Sequence, residues 1–519
     1  LPLLLLALFL LGTHSTVFGP VKYAILPQHL KEQELTGGNG LVEMGTFVAI
    51  LVGTILGSVL IGRPEGGAWL TSGAILLVAV AGYLASRGIP DSPASAPEIK
   101  INWNPFTETW RNLQFARQTR PVFLSILGNS WFWFFGATIL TQLPNYSRDV
   151  LHGNEQVYTL LLTLFSIGVA TGSLLCEKLS SGKVEIGLVP FGSIGLTLFG
   201  VLLYFATPAP VVGEPLSALE FLSRRESWWL IFNLVMLGMF GGFYIVPLYA
   251  LIQTRSAPSH RSRIIAANNI LNALFVVVSA GFSIFLLGTL KLTVPELFLA
   301  TAILNAFVAI YIYTLVPEFL MRFIVWIWVH ILYRVKKTNL DYIPEKGAAL
   351  LICNHVSFVD ALIIAAGCHR PVRFVMDHGI FKIPILSFIF RTARAIPIAS
   401  RKDSPEVMER AFDEVDKALA DGDLICIFPE GKITHDGEVN PFRPGVSRIL
   451  ERRPVSVIPL ALRGLWGSFF SRKGGPAMRR FPRRILSPIE LVSAPPVAAA
   501  AATPEHLQTI VTQLRGDWR

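Results

Sequence analysis

Nine apolar runs occupy the chain up to residue 316: 1–26, 44–62, 69–86, 122–143, 157–176, 186–206, 228–252, 264–288 and 295–316. Each is near the twenty or so residues that an α-helix needs to cross a bilayer. No water is available in lipid to satisfy backbone N–H and C=O groups, so runs of this length have to close their hydrogen bonds internally, as helices. This predicts a multi-pass all-α membrane part. The composition agrees: 52% of the residues are hydrophobic and the mean hydropathy is +0.53, too apolar for an ordinary soluble protein.

The charges between the runs give an orientation. If the segment after residue 26 is cytoplasmic, that side carries Lys31, the basic 87–120 segment, Lys178, Lys183, Arg255, Arg261 and Arg263. The other side carries Arg63, Arg148, Arg224, Arg225 and Lys291, a smaller set. The positive-inside bias then places everything after residue 316 in the cytoplasm, at a bacterial inner membrane. The proline-rich stretch 90–105 has too many breakers for a span and reads as a linker between two helical bundles. The formal net charge of +10 fits basic loops against anionic headgroups, or contact with an acidic carrier protein or coenzyme A phosphates. No nucleic-acid-binding motif accompanies it. The four cysteines, Cys176, Cys353, Cys368 and Cys426, form no C-x-x-C pair and read as buried, reduced thiols. The chain opens inside an apolar run without a basic leader, so it reads as beginning within a membrane helix.

From residue 348 the pattern changes to alternating short strands and helices, the mark of an α/β fold. Strands are expected at 348–353, 373–376, 395–399, 424–428, 456–462 and 489–492, and helices at 361–366, 385–391, 406–420 and 504–514. Between the two parts, 319–335 is apolar with tryptophans and arginines near its edges. It is expected as a helix lying in the membrane interface, followed by a linker to residue 347. The first α/β strand delivers Asn354 and His355 to a turn, and Asp360 opens the next helix. A carboxylate there can hold one imidazole nitrogen and stabilise the imidazolium, leaving the other nitrogen as a general base. Phe428-Pro429-Glu430-Gly431 follows a second buried strand and adds a carboxylate and a glycine at its end.

N-H-x4-D followed by F-P-E-G resembles the glycerolipid acyltransferases, which move a fatty acyl group from a thioester to a hydroxyl of a lysophospholipid or glycerol phosphate. That resemblance covers the chain from about residue 318 onward. It implies His355 as base, Asp360 as the acid that orients it, and Glu430, Gly431, Lys432 and Arg401 as contacts to the acceptor. Amides near Gly431 would meet the oxyanion. It also implies a thioester of acyl carrier protein or coenzyme A as donor substrate, with no cofactor and no metal. Relatives that form phosphatidate commonly continue F-P-E-G with Thr-Arg-Ser, whereas this chain has Lys432-Ile433-Thr434. The block that often ends I-D-R reads Pro397-Ile398-Ala399-Ser400-Arg401. Both departures point toward lysophosphatidylethanolamine as acceptor. Arg472, Lys473, Arg479, Arg480, Arg483 and Arg484 form a late basic cluster, either a docking site for an acidic carrier or anionic lipid, or a solvated loop.

The apolar part resembles the lysophospholipid-transporter branch of the major facilitator superfamily. The residues that carry this are Gly19-Pro20-Val21-Lys22-Tyr23, Asn39-Gly40-Leu41-Val42-Glu43, Gly241-Gly242-Phe243 with Pro247-Leu248, and Asn268-Asn269. Residues 172–183 are similar to that superfamily's short cytoplasmic loop. By this resemblance the nine spans match helices four to twelve of twelve. His14, Lys22, Glu43, Asn129, Gln142, Asn233, Asn268 and Asn272 are candidates for a headgroup path, or alternatively for interhelical hydrogen bonding. The expected organisation is a partial transporter at 1–317, an interfacial helix and linker at 318–347, and an acyltransferase at 348–519. The expected activity is lysophospholipid acylation coupled to lysophospholipid transport. The rival is a transporter or scaffold carrying a catalytically inactive lipid-binding domain.

Overall fold

A computed structural model describes residues 2–93, 102–180, 188–209, 213–315, 317–344, 346–368, 370–400, 403–478 and 486–518. The chain divides into two units, Leu1–Leu315 and Val316–Arg519. The first is helical. Among its described residues, nine helices are long and apolar enough to cross a membrane. They follow the apolar runs, with one instructive extension: the second begins at Leu35 rather than near residue 44. The added turns bring Thr36, Asn39 and Glu43 into the helix, all fully buried. The Pro-rich linker is described only up to residue 93 and again from 102. After it comes a helix too polar to span, Pro105–Gln118, capped by Asn104, whose side chain accepts from the amides of Phe106 and Thr107.

Backbone contact organises the helical unit where glycine allows it. Gly168 and Gly172 on the Glu155–Ser180 helix face Gly238 and Gly242 on the Arg225–Arg255 helix. A Cβ on Gly242 would stand 2.5 Å from the Ser173 amide nitrogen, so only glycine permits this crossing. The buried asparagines mostly join helices. Asn129 donates to Asn268 at 3.2 Å, Ser130 donates to Asn272 at 3.0 Å, and Asn39 donates to Gln253 at 2.6 Å. Tyr23 donates to Glu43 at 2.5 Å and Lys22 to Thr46 at 3.1 Å. Asn233 bonds back to Trp229 O of its own helix, Gln142 accepts from Asn145, and His14 is exposed. For the asparagines other than Asn233, interhelical bonding therefore describes the contacts better than a lined path. Of the 172–183 loop motif, residues 181–183 lie outside the described residues.

The second unit is an α/β sandwich around one seven-stranded sheet in the order β1-β7-β6-β2-β5-β3-β4. The strands are β1 Tyr333–Thr338, β2 Ala349–Cys353, β3 Val372–Asp377, β4 Ile396–Ile398, β5 Leu424–Ile427, β6 Ser456–Arg463 and β7 Ser487–Ser493. All neighbours are parallel except β6 and β7. The central strands are buried on both faces, which is why they read as unbroken apolar runs rather than alternating ones. Leu351 and Cys353 face a core closed by the Pro317–Leu332 and Asp360–Gly367 helices. Leu350 and Ile352 face a second core closed by the helices Pro405–Ala420, Gly445–Arg452 and Pro504–Arg515. Each such leucine or isoleucine contributes roughly 1.5–3 kcal/mol by burial. Ser404 caps the Pro405–Ala420 helix and Gly422, at φ 87°, follows its end.

The segment expected as interfacial helix and linker contains more than that. Its helix ends at Leu332, and residues 333–338 continue as β1, hydrogen-bonded in parallel to β7 from Tyr333↔Ser487 to Thr338↔Val492. The sheet thus starts at Tyr333, fifteen residues before Ala348. A further helix, Gly445–Arg452, also lay outside the expected elements.

Candidate active site

β2 and β5 lie side by side in parallel, in register from Ala349↔Leu424 to Ile352↔Ile427. Their carboxyl ends therefore open at the same place, the crevice where α/β folds hold ligands. β2 releases Asn354 and His355 there, and β5 releases Phe428 to Gly431. Asn354 is buried and completes the strand pairing with its side chain: its amide donates to Leu462 O at 3.1 Å and its oxygen accepts from Leu462 N at 2.8 Å. This fixes where His355 emerges.

His355 Nδ1 lies 2.8 Å from Asp360 Oδ2. The Asp360 side chain is fully buried, while that of His355 remains 22% exposed. Three further groups of the turn donate to the carboxylate: Val356 N at 2.6 Å, Ser357 N at 2.9–3.0 Å and Ser357 Oγ at 2.6 Å. A carboxylate held by this many donors is fixed in place and stays an acceptor. It selects the tautomer with the proton on Nδ1 and leaves Nε2 with a free lone pair. The ring is also held from one face by Phe428, stacked at 4.2 Å between centroids and 16° between planes.

Glu430 sits differently from the expectation. It is 1% exposed, and both oxygens are occupied within the protein. Oε1 accepts from the His355 amide at 2.7 Å, and Oε2 accepts from Asn440 N at 2.8 Å and Asn440 Nδ2 at 2.6 Å. Burial pushes its carboxyl above the ordinary carboxylate range, and the amide hydrogen bonds from His355 and Asn440 pull it back. Glu430 is thus a buried tie between the His355 turn and the Asn440 loop, with both oxygens bonded within the protein. Gly431 adopts φ 66° and its N–H closes the turn onto Phe428 O at 2.9 Å, so that amide is committed and does not serve an oxyanion. Lys432 is exposed on the turn. Ile433 is buried at 6% exposure, and the Thr434 amide donates to His355 O at 2.9 Å. The position after Lys432 therefore faces the interior, not a headgroup. Arg401 lies outside the described residues, as do Arg479, Arg480, Arg483 and Arg484 of the basic cluster. Arg472 is described: it bonds His435 at 3.1 Å and lies over the Phe358 ring.

Cys353 and Cys426 are fully buried and burial pushes both thiols up, in keeping with the buried, reduced thiols expected. Sequence reasoning missed Ser357 and Asn440. For Ser357 a signal existed in its spacing, three residues before Asp360. Asn440 reaches Glu430 only through the folding of the 436–444 loop.

A helical unit with nine candidate spans among its described residues is followed by an α/β unit whose strand ends carry a His–Asp pair, and each unit contains a stretch that a family model matches. The Major Facilitator Superfamily model matches residues 1–219 and the Acyltransferase family model matches residues 334–463. Among curated proteins, the chain is 28% identical over 262 residues to the lysophospholipid transporter LplT of Klebsiella pneumoniae (strain 342), covering 48% of this chain and 58% of that protein. It is 30% identical over 260 residues to LplT of Pectobacterium carotovorum subsp. carotovorum (strain PC1), covering 48% and 56%. The chain thus spans a little over half the length of these relatives. Among solved structures it is similar to the 1-acyl-sn-glycerophosphate (LPA) acyltransferase PlsC from Thermotoga maritima, with 20% identity and a TM-score of 0.31 over 39% of this chain and 76% of that one.

Proposed function

We propose that the protein acylates lysophospholipids at the membrane, with His355 as general base. The observation that carries this is the imidazole fixed at Nδ1 by a buried carboxylate, with no partner on Nε2 among the described residues. Nε2 takes the proton of the acceptor's hydroxyl as its oxygen attacks the thioester carbonyl. The tetrahedral intermediate collapses, the C–S bond breaks, and the leaving thiolate takes the proton back from the imidazolium. The products are a diacyl phospholipid and a free thiol. Asp360 stabilises the imidazolium between the two transfers. Positioning and the base together supply the acceleration, because a thioester is already activated.

The donor is a thioester of acyl carrier protein or coenzyme A. Lys432, a point charge on the exposed turn, suits the single charge of a phosphodiester, which favours lysophosphatidylethanolamine as acceptor. The membrane unit, similar in part to lysophospholipid transporters, would deliver that acceptor, and the positive-inside bias supports a cytoplasmic acyltransferase unit at a bacterial inner membrane. The test is the full chain in vesicles, assayed with lysophosphatidylethanolamine, lysophosphatidylglycerol and lysophosphatidate against both donors. Diacyl product that is lost in His355→Ala supports the reading. Absence of product from every pairing overturns it and favours a lipid-binding module without turnover.

A further inference from the structure

Ile433, the second residue after the F-P-E-G turn, is turned into the core, yet an arginine reaches the same turn from the loop that follows. A Cβ built on Gly431 would lie 2.9 Å from both Cζ and Nε of Arg443 and 3.0 Å from its Nη1. A point almost equidistant from three atoms of one guanidinium stands over its plane, so the Arg443 group lies face-on against Gly431. Its N–H donors lie in that plane and are directed along the surface rather than into the glycine. Gly431 is needed here for its missing side chain as well as for its φ of 66°.

The loop that carries Arg443 is fixed to the site. Arg443 N donates to Pro429 O at 3.0 Å, and Asn440 holds the same Glu430 that holds the His355 amide. The turn that holds the His355 main-chain amide through Glu430 thus also holds the Arg443 amide through Pro429. Arg443 is exposed. The arginines of the following helix are used differently: Arg448 pairs with Glu409, Arg452 with Glu409 and Asp413, and Arg453 with Asp416. No carboxylate pairs with Arg443 among the described residues. An exposed guanidinium, held against the turn that also holds the His355 amide and without a carboxylate partner among the described residues, matches a phosphate ester, which its planar fork can take through two parallel N–H···O bonds.

We infer that Arg443 is a specificity-determining residue that receives the phosphate of the lysophospholipid acceptor. This rests on the functional reading above. The donor thioester also carries phosphate, so the assay has to separate the two substrates. The full chain, Arg443→Gln and Arg443→Lys are compared in vesicles, varying lysophosphatidylethanolamine and acyl donor in turn. Loss of a charged hydrogen bond predicts that Arg443→Gln raises the acceptor KM by about tenfold or more, with donor KM and kcat changed little. Arg443→Lys should recover part of that loss. A rise confined to donor KM, an equal loss toward both substrates, or unchanged kinetics in both variants overturns the inference. An unmodified chain that acylates no lysophospholipid overturns the functional reading instead.

Discussion

Replacing His355 by alanine removes the proton acceptor but leaves the Val356 and Ser357 donors on Asp360, so the turn keeps most of its hydrogen bonds. Acyl transfer is expected to fall by about 10²–10⁴-fold with membrane insertion unchanged, measured as product formation per folded protein. Asp360→Asn is expected to cost roughly 10²-fold or more across the working pH range, because an amide can hold the wrong tautomer and cannot stabilise an imidazolium. Equal rates for both proteins would show that Asp360 only packs. Glu430→Gln makes the clearest separation: its new NH2 has to face either the His355 amide or the Asn440 donors. It is expected to lower kcat by about tenfold or more while acceptor KM stays near its original value, the mark of a positioning residue. A rise confined to acceptor KM would instead make Glu430 a substrate contact. The His–Asp pair was legible because both residues come from one turn, five positions apart. The role of Glu430 was not, since it depends on an amide at His355 and a loop at Asn440 that no local pattern brings together. The burial of Ile433 was not legible for a similar reason: a position in a motif does not say which way its side chain points.

At the scale of elements, legibility followed burial. β2, β5 and β6 are covered on both faces and stood out as apolar runs, whereas β1 is an edge strand reading Tyr-Arg-Val-Lys-Lys-Thr with only Tyr333 buried. Its polar side chains hid it among linker residues. What holds that edge is in part electrostatic. Glu490 on β7 accepts from Thr338 at 2.6 Å, and pairs with Arg463 on β6 at 2.8 Å and Lys336 on β1 at 3.3 Å. The Thr338 hydroxyl first, then Arg463 and Lys336, hold its carboxyl below the ordinary range. A lowered folded pKa gives stability that is present above the unfolded value, about 4 to 4.5, and is lost as pH falls through the folded one. Glu490→Gln is therefore expected to destabilise the folded protein near neutral pH by about 2 kcal/mol and to flatten the acid side of its thermal-inactivation profile. An unchanged profile would remove Glu490 from that account. In the helical unit, Gly242→Val is expected to force the two glycine-faced helices apart at a cost of about 1–3 kcal/mol, read as a lower melting temperature in detergent.

At the scale of the whole molecule, the loop charges predict that protease added to inverted membrane vesicles cleaves within residues 403–478, while intact spheroplasts protect them. Cleavage in spheroplasts would reverse the assigned orientation. The edge strand has a consequence for how this chain can be divided. An enzyme released by cutting at the start of its first obvious strand, near residue 348, would leave behind β1, and with it the parallel partner of β7. The uncovered edge would offer unpaired amides and carbonyls to any other strand it met. A soluble fragment beginning near residue 348 should self-associate, and one beginning at Pro317 or earlier should keep its sheet sealed.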